Sequence, residues 1–165
     1  MGSESIELVK YQDGDFDTYY SLVREDKLMR YISGQGLTIQ EALAKFDSII
    51  KINNKELSIG YFKVYNGRQD FIGDGKLEWN KYDGTKLDIG YILKEEFWKK
   101  GYGTMLCSKL LSLAESIYPQ TDIIGIIDPE NIASKSLLEK FGFKTYFTGV
   151  EDSLPTQKLV LRRKN

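Results

Sequence analysis

The fold is decided between Leu87 and Thr104, where Leu87-Asp88-Ile89-Gly90-Tyr91-Ile92-Leu93 is followed, after a short loop, by Trp98-Lys99-Lys100-Gly101-Tyr102-Gly103-Thr104. The first run reads as a strand, taken from Lys86 to Leu93. The second opens a long helix, expected from Gly101 to Tyr118, with Leu106, Leu110, Leu113 and Ile117 on one face and Pro119 stopping it. Thr121 to Ile127 then forms a nearly uninterrupted apolar run, which suits a buried strand parallel to its predecessor across the helix. The segment is therefore read as a βαβ unit.

Upstream of it, Leu57 to Tyr65 is β-branched and aromatic, Asn66-Gly67 is a hairpin signal, and Phe71 to Trp79 is the returning strand, so three consecutive strands should form an antiparallel meander. Ile6 to Tyr11 alternates as a first strand. Asp13, Gly14 and Asp15 cap a helix expected from Phe16 to Asp26, and Thr38-Ile39-Gln40-Glu41 fits a capping box for a second helix reaching Asn53. Leu28 to Leu37 between them reads as irregular. Downstream, Asn131 to Phe141 is a shorter helix, and Phe143 to Val150 and Gln157 to Arg162 close the chain as two strands. The order β-α-α-β-β-β-α-β-α-β-β predicts an α+β fold with one mixed, mostly antiparallel sheet and a central parallel pair.

A chain of 165 residues with 41% apolar content fits a single domain, 1–165, that needs neither metal nor disulfide to fold. Its 23 basic and 24 acidic residues leave a formal net charge of −1, so no overall basic field exists to hold nucleic acid or an anionic membrane. A lone Cys107, with no apolar signal core or spanning run, makes the reducing cytoplasm the expected compartment. The chain contains no histidine, which excludes Ser-His-Asp and Cys-His catalysis and most zinc sites. Any proton acceptor must be a carboxylate, a tyrosine, the α-amine or water.

The start of the Gly101 helix carries chemistry through its backbone. Unpaired N–H groups from Gly101 to Thr104, the positive end of the helix dipole and small residues that permit close approach together make a phosphate-binding turn, to which Lys99 and Lys100 add charge. The motif lacks the G-K-[ST] ending of a P-loop, and Leu106 stands where a dinucleotide fingerprint needs its third glycine. A second constellation runs from Asn131-Ile132-Ala133-Ser134 to Glu139-Lys140-Phe141-Gly142-Phe143. Taken alone it is an ordinary helix, capped by Asn131 and ended by Gly142.

Together with Met29-Arg30-Tyr31, Phe71-Ile72-Gly73 and Ile89-Gly90-Tyr91, these segments resemble in order the GNAT acyltransferases, and within them the branch of ribosomal-protein N-terminal alanine and serine acetyltransferases. The resemblance covers most of the chain. It implies acetyl-CoA as co-substrate, with its pyrophosphate on the amides of Lys99, Lys100, Gly101, Tyr102, Gly103 and Thr104. Its pantetheine arm would pair with backbone near Ile92 and Leu93, with Asn131 on the other side. Trp98 occupies the Q/R place of the superfamily pattern Q/R-x-x-G-x-G/A, as is usual in this branch. Leu138 stands where many members have a tyrosine general acid, and the resemblance assigns the donor role to Ser134 instead.

The expected reaction is direct transfer of an acetyl group to a primary amine on a small molecule or peptide, by a monomer or homodimer; the alternative is an acyl-CoA-binding sensor without turnover. An alkylamine is only about one part in a thousand deprotonated at neutral pH, so a proton path is required. Asp88, Glu151 and Asp152 are the candidate acceptors, and Asp74, Glu78 and Asp88 would favour a cationic substrate if they face the cleft. Strand backbone amides are candidates to polarise the thioester carbonyl.

Overall fold

Seven strands, β1 (Ile6–Lys10), β2 (Gly60–Asn66), β3 (Phe71–Trp79), β4 (Leu87–Leu93), β5 (Ile123–Ile127), β6 (Lys144–Glu151) and β7 (Leu154–Leu161), lie side by side in the order β1-β2-β3-β4-β5-β7-β6. The structure is a computed structural model and describes residues 5–163. Every neighbouring pair is antiparallel except β4 and β5, as the intervening helix requires. Helices α1 (Phe16–Val23), α2 (Asp26–Met29) and α3 (Ile39–Lys55) cover one face of the sheet, and α4 (Tyr102–Ile117) and α5 (Ile132–Lys140) the other.

Strand alternation separates the two cores. In β2, Phe62 and Val64 join Leu106 and Leu110 of α4, whereas Tyr61 turns to Phe46 and Ile49 of α3. The Thr38 capping box forms on both sides, with the Thr38 hydroxyl accepting from Glu41 N–H and Glu41 Oε1 accepting from Thr38 N–H.

The meander, the βαβ unit and the element order agree with the sequence reading, with local differences that have physical causes. Part of the segment expected to be irregular winds into the one-turn α2, and α1 ends at Val23 rather than Asp26. β2 begins at Gly60 rather than Leu57, whose side chain is 94% exposed. Gly60 has φ +139, and a Cβ there would lie 2.1 Å from Asn53 Oδ1. Asn53 uses that oxygen to accept from Tyr61 N–H and its amide to donate to the carbonyls of Tyr11 and Tyr61. The last strand starts at Leu154 rather than Gln157, because Asp152 and Ser153 both take positive φ and turn a tight hairpin. Pro155 is tolerated there because β5 pairs with β7 only from Gln157 onward.

Candidate active site

The parallel pair holds for three positions, Leu87↔Ile123, Asp88↔Ile124 and Ile89↔Gly125, after which β4 and β5 part. Leu87 N–H donates to the carbonyl of Asp122, so Leu87 faces β5; Lys94 N–H donates to the carbonyl of Ile72, so Lys94 faces β3. Backbone groups alternate along a strand, which turns the amides of Tyr91 and Leu93 toward the gap and commits those of Ile92 to Asp74 in β3. Trp98 Nε1 donates to Leu93 O at 2.8 Å and ties the following loop to the strand end. Indole in the Q/R place of the family pattern thus acts as a brace within the protein.

The gap widens into a cavity of about 480 Å³ whose wall includes Tyr91, Leu93, Trp98, Gly101, Thr104, Asn131 and Ser134. Lys99 (φ 60) and Gly101 (φ 87) set up the turn into α4. No side chain caps this helix, and its first internal amide bond runs from Met105 N–H to Gly101 O at 3.1 Å, which leaves the amides of the first turn outward. Space above Gly101 is open, with nothing within 4 Å of where a Cβ would stand. An anionic group fits there. Lys99, Gly101, Gly103 and Thr104 border the cavity. Lys100 lies instead over the Phe97 ring at 6.0 Å, and the Tyr102 ring is core, edge-on to Phe97 and accepting from Asn66 Nδ2, so Tyr102 can offer only its amide.

Across the gap, Asn131 caps α5, with its Oδ1 accepting from Ser134 N–H at 3.2 Å. The partly buried Tyr91 hydroxyl faces Ser134; burial pushes its pKa up and Ser134 partly offsets the rise. Leu138 is buried against Gly125, where a Cβ would come within 2.6 Å of its Cδ1. Position 138 is therefore packing.

On the α1–α3 face of the sheet a second cavity of about 420 Å³ meets the first along Ile89, Gly90, Tyr91 and Ile92. Asp74, Lys76 and Asp88 form its polar floor, with Lys45 on the wall. Asp74 is fully buried, and desolvation pushes its pKa up to about 7 although Tyr11 donates to its Oδ2 at 2.8 Å and Lys76 and Lys45 are near. Desolvation also raises Asp88, against a hydrogen bond from Asn80 Nδ2 at 2.9 Å. Desolvation alone would raise Glu78 too, but Lys76 at 2.9 Å, the Tyr61 hydroxyl at 2.5 Å and Lys45 together hold it below the usual range.

The chain matches the acetyltransferase (GNAT) domain family over residues 5–144. It belongs to that family. The uncharacterised N-acetyltransferase YoaA of Bacillus subtilis is 21% identical over 145 residues, covering 87% of this chain and 82% of the relative. Among solved structures, a GNAT-family acetyltransferase from Bacillus anthracis superimposes with a TM-score of 0.76 at 17% identity, over 99% of this chain and 98% of that one. The spermidine N-acetyltransferase of Vibrio cholerae, in complex with CoA and spermine, gives 0.77 at 18% identity over 96% of both chains.

As a GNAT enzyme the protein is an N-acetyltransferase acting on amines, and acetyl-CoA is the donor its family uses. Of the residues singled out by sequence, the structure gathers Asp88, Leu93, Lys99, Gly101, Gly103, Thr104, Asn131 and Ser134 around the two joined cavities. Ile92 lines both cavities but spends its backbone on β3. Glu151 stands at the end of β6, paired with Lys158 at 2.6 Å, and Asp152 in the turn beyond it accepts from the Tyr82 hydroxyl; neither borders either of these two cavities. Sequence reading missed Tyr91 as the partner of Ser134, and missed Lys45 and Lys76 as cavity residues. Strand parity from Gly90 through the meander was the one signal that could have found Lys76. No helix among the described residues is long and apolar enough to cross a membrane.

Proposed function

We propose that this domain transfers the acetyl group directly to a primary amine held in the cavity under α3. The observation that carries the reading is the junction of the two cavities at Gly90, where β4 leaves β5. In this reading the first-turn amides of α4 hold the pyrophosphate, and the outward amides of Tyr91 and Leu93 hold the pantetheine arm and polarise the thioester carbonyl. Asp88 takes the amine's proton, since it flanks Gly90 on the same face of the same strand and burial makes it more basic than a free carboxylate. The amine lone pair forms the new C–N bond as the C–S bond breaks, and Ser134, oriented by Tyr91, protonates the departing sulfur. The resemblance to the ribosomal-protein branch extends the acceptor class to a peptide N-terminus entering the same cavity, and the buried Cys107 thiol suits a cytoplasmic setting.

An amine screen with acetyl-CoA, read by release of free CoA thiol, tests the reaction. With an accepted amine, Asp88→Asn should lower turnover by about 10² to 10⁴ fold and leave acetyl-CoA affinity nearly intact. Wild-type turnover at every pH would remove Asp88 from the mechanism, and loss of acetyl-CoA binding would make it a residue that shapes the strand.

A further inference from the structure

We propose, on the transfer reading above, that Asn80 is a positioning residue for the reaction: its side-chain amide holds one carboxylate oxygen of Asp88 and leaves the other to meet the acceptor amine. Asn80 directly follows β3 and is buried, with 7% of its surface exposed. Its Oδ1 accepts from the backbone N–H groups of Tyr82 at 2.9 Å and Asp83 at 2.7 Å. Those two bonds decide which way the amide faces, because only an oxygen can accept them. Nδ2 is thereby aimed at Asp88 and donates to its Oδ1 at 2.9 Å. Asp88 Oδ2 has no hydrogen bond among the described residues, where no enclosed side-chain nitrogen or oxygen lacks a partner. Oδ2 therefore opens on the cavity that Gly90 also lines.

A donor bound to one oxygen stops the carboxylate from rotating and favours its charged form. A proton acceptor in a desolvated floor needs both. Asp88 stands in register between Glu78 of β3 and Ile124 of β5. Desolvation raises its pKa and Glu78 adds to the rise; the Asn80 bond is the largest effect opposing it, ahead of Lys76 on β3 and Lys158 on β7. Tyr146 of β6 is also within electrostatic reach, and Tyr19 of α1 and Glu41 and Lys45 of α3 line the same cavity. Among the described residues only Asn80 hydrogen-bonds Asp88 through its side chain. Being neutral, it acts through its placement, which the β3–β4 turn fixes.

The test reads kcat against pH at saturating acetyl-CoA and an accepted amine. Asn80→Asp keeps an acceptor for the two turn amides and removes the donor. The acid limb should move to higher pH, with kcat down about tenfold or more on that limb and close to wild type on the plateau. KM for acetyl-CoA should not change. Asn80→Ala, which adds no charge, should move the limb the same way and serves if aspartate unsettles the turn. Asp83→Ala frees Thr85 in the same turn without touching the Asn80 amide, so it should lower Tm and leave the limb in place. Carbon-13 NMR titration of the Asp88 carboxyl reads the same upward shift without turnover. An unmoved limb or carboxyl titration in both Asn80 variants, an equal loss of kcat at every pH, or the same shift in Asp83→Ala overturns the proposal and leaves Asp88 as acceptor. Wild-type turnover of Asp88→Asn at every pH would instead bring down the reading on which it rests.

Discussion

Asp74 shows how burial alone can alter a residue's chemistry. Its folded pKa near 7 lies above the ordinary carboxylate value of 3.8, so between those values the folded state binds more protons than the unfolded chain and stability falls as pH rises through the window. Asp74→Asn keeps an acceptor for the Tyr11 hydroxyl and removes the titration. The variant should therefore be more stable than wild type at pH 8, with the difference shrinking by pH 5; chemical denaturation at the two pH values measures it. An unchanged difference would mean that Asp74 titrates as a free carboxylate. Cys107 shows the same effect, a buried thiol pushed up to about 12 by desolvation, without a base to activate it. Cys107→Ala should retain most activity, and recovery of an acetylated Cys107 during turnover would contradict direct transfer.

At the scale of elements, no side chain among the described residues caps the start of α4, which leaves its amides free for a ligand. Acetyl-CoA bound there should stabilise the fold by about 2.7 kcal/mol at a free concentration a hundred times its dissociation constant. A Cβ at Gly103 would stand 3.4 Å from Leu137 Cδ2 and 3.5 Å from the Tyr91 hydroxyl, ordinary contacts that leave the larger branches of valine to crowd the turn. Gly103→Val should abolish the acetyl-CoA thermal shift and keep the circular dichroism of the folded protein. A retained shift would move the cofactor elsewhere. The brace from Trp98 to Leu93 belongs to the same element. Trp98→Phe keeps an aromatic ring but loses the donor, and should weaken acetyl-CoA binding measurably by calorimetry, by roughly the 0.5–1.5 kcal/mol of one net hydrogen bond.

The whole molecule brings α5 and the diverging strands to one place through a single close packing, Leu138 on Gly125. Gly125→Val has no room there and should cost about 1–3 kcal/mol of stability while shifting Asn131 and Ser134, so melting temperature and acetyl-CoA affinity should fall together. A fall in one without the other would uncouple α5 from the cofactor cleft. The element order, the βαβ unit and the turn that opens α4 were legible in the sequence because each depends on local signals: periodicity, capping residues, and glycines at a helix start. The Asn53 clamp that moves the start of β2, and the two positive φ values that move the start of β7, are not local in that sense. Nor could charge be assigned from residue type. Glu78, Asp74 and Asp88 read alike along the chain, yet one is neutralised by Lys76, one is buried to a near-neutral pKa, and one stands beside Gly90. Glu151 stood beside the favoured Asp88 as a candidate acceptor, and the sheet order puts β6 at the far edge, with Glu151 paired with Lys158. The sequence by itself determined the fold, the family and the uncapped glycine-rich start of α4, since these follow from the order and spacing of residues. Only the tertiary structure decided which carboxylates and lysines share the cavity under α3, because desolvation and pairing depend on what strands distant in the chain bring together.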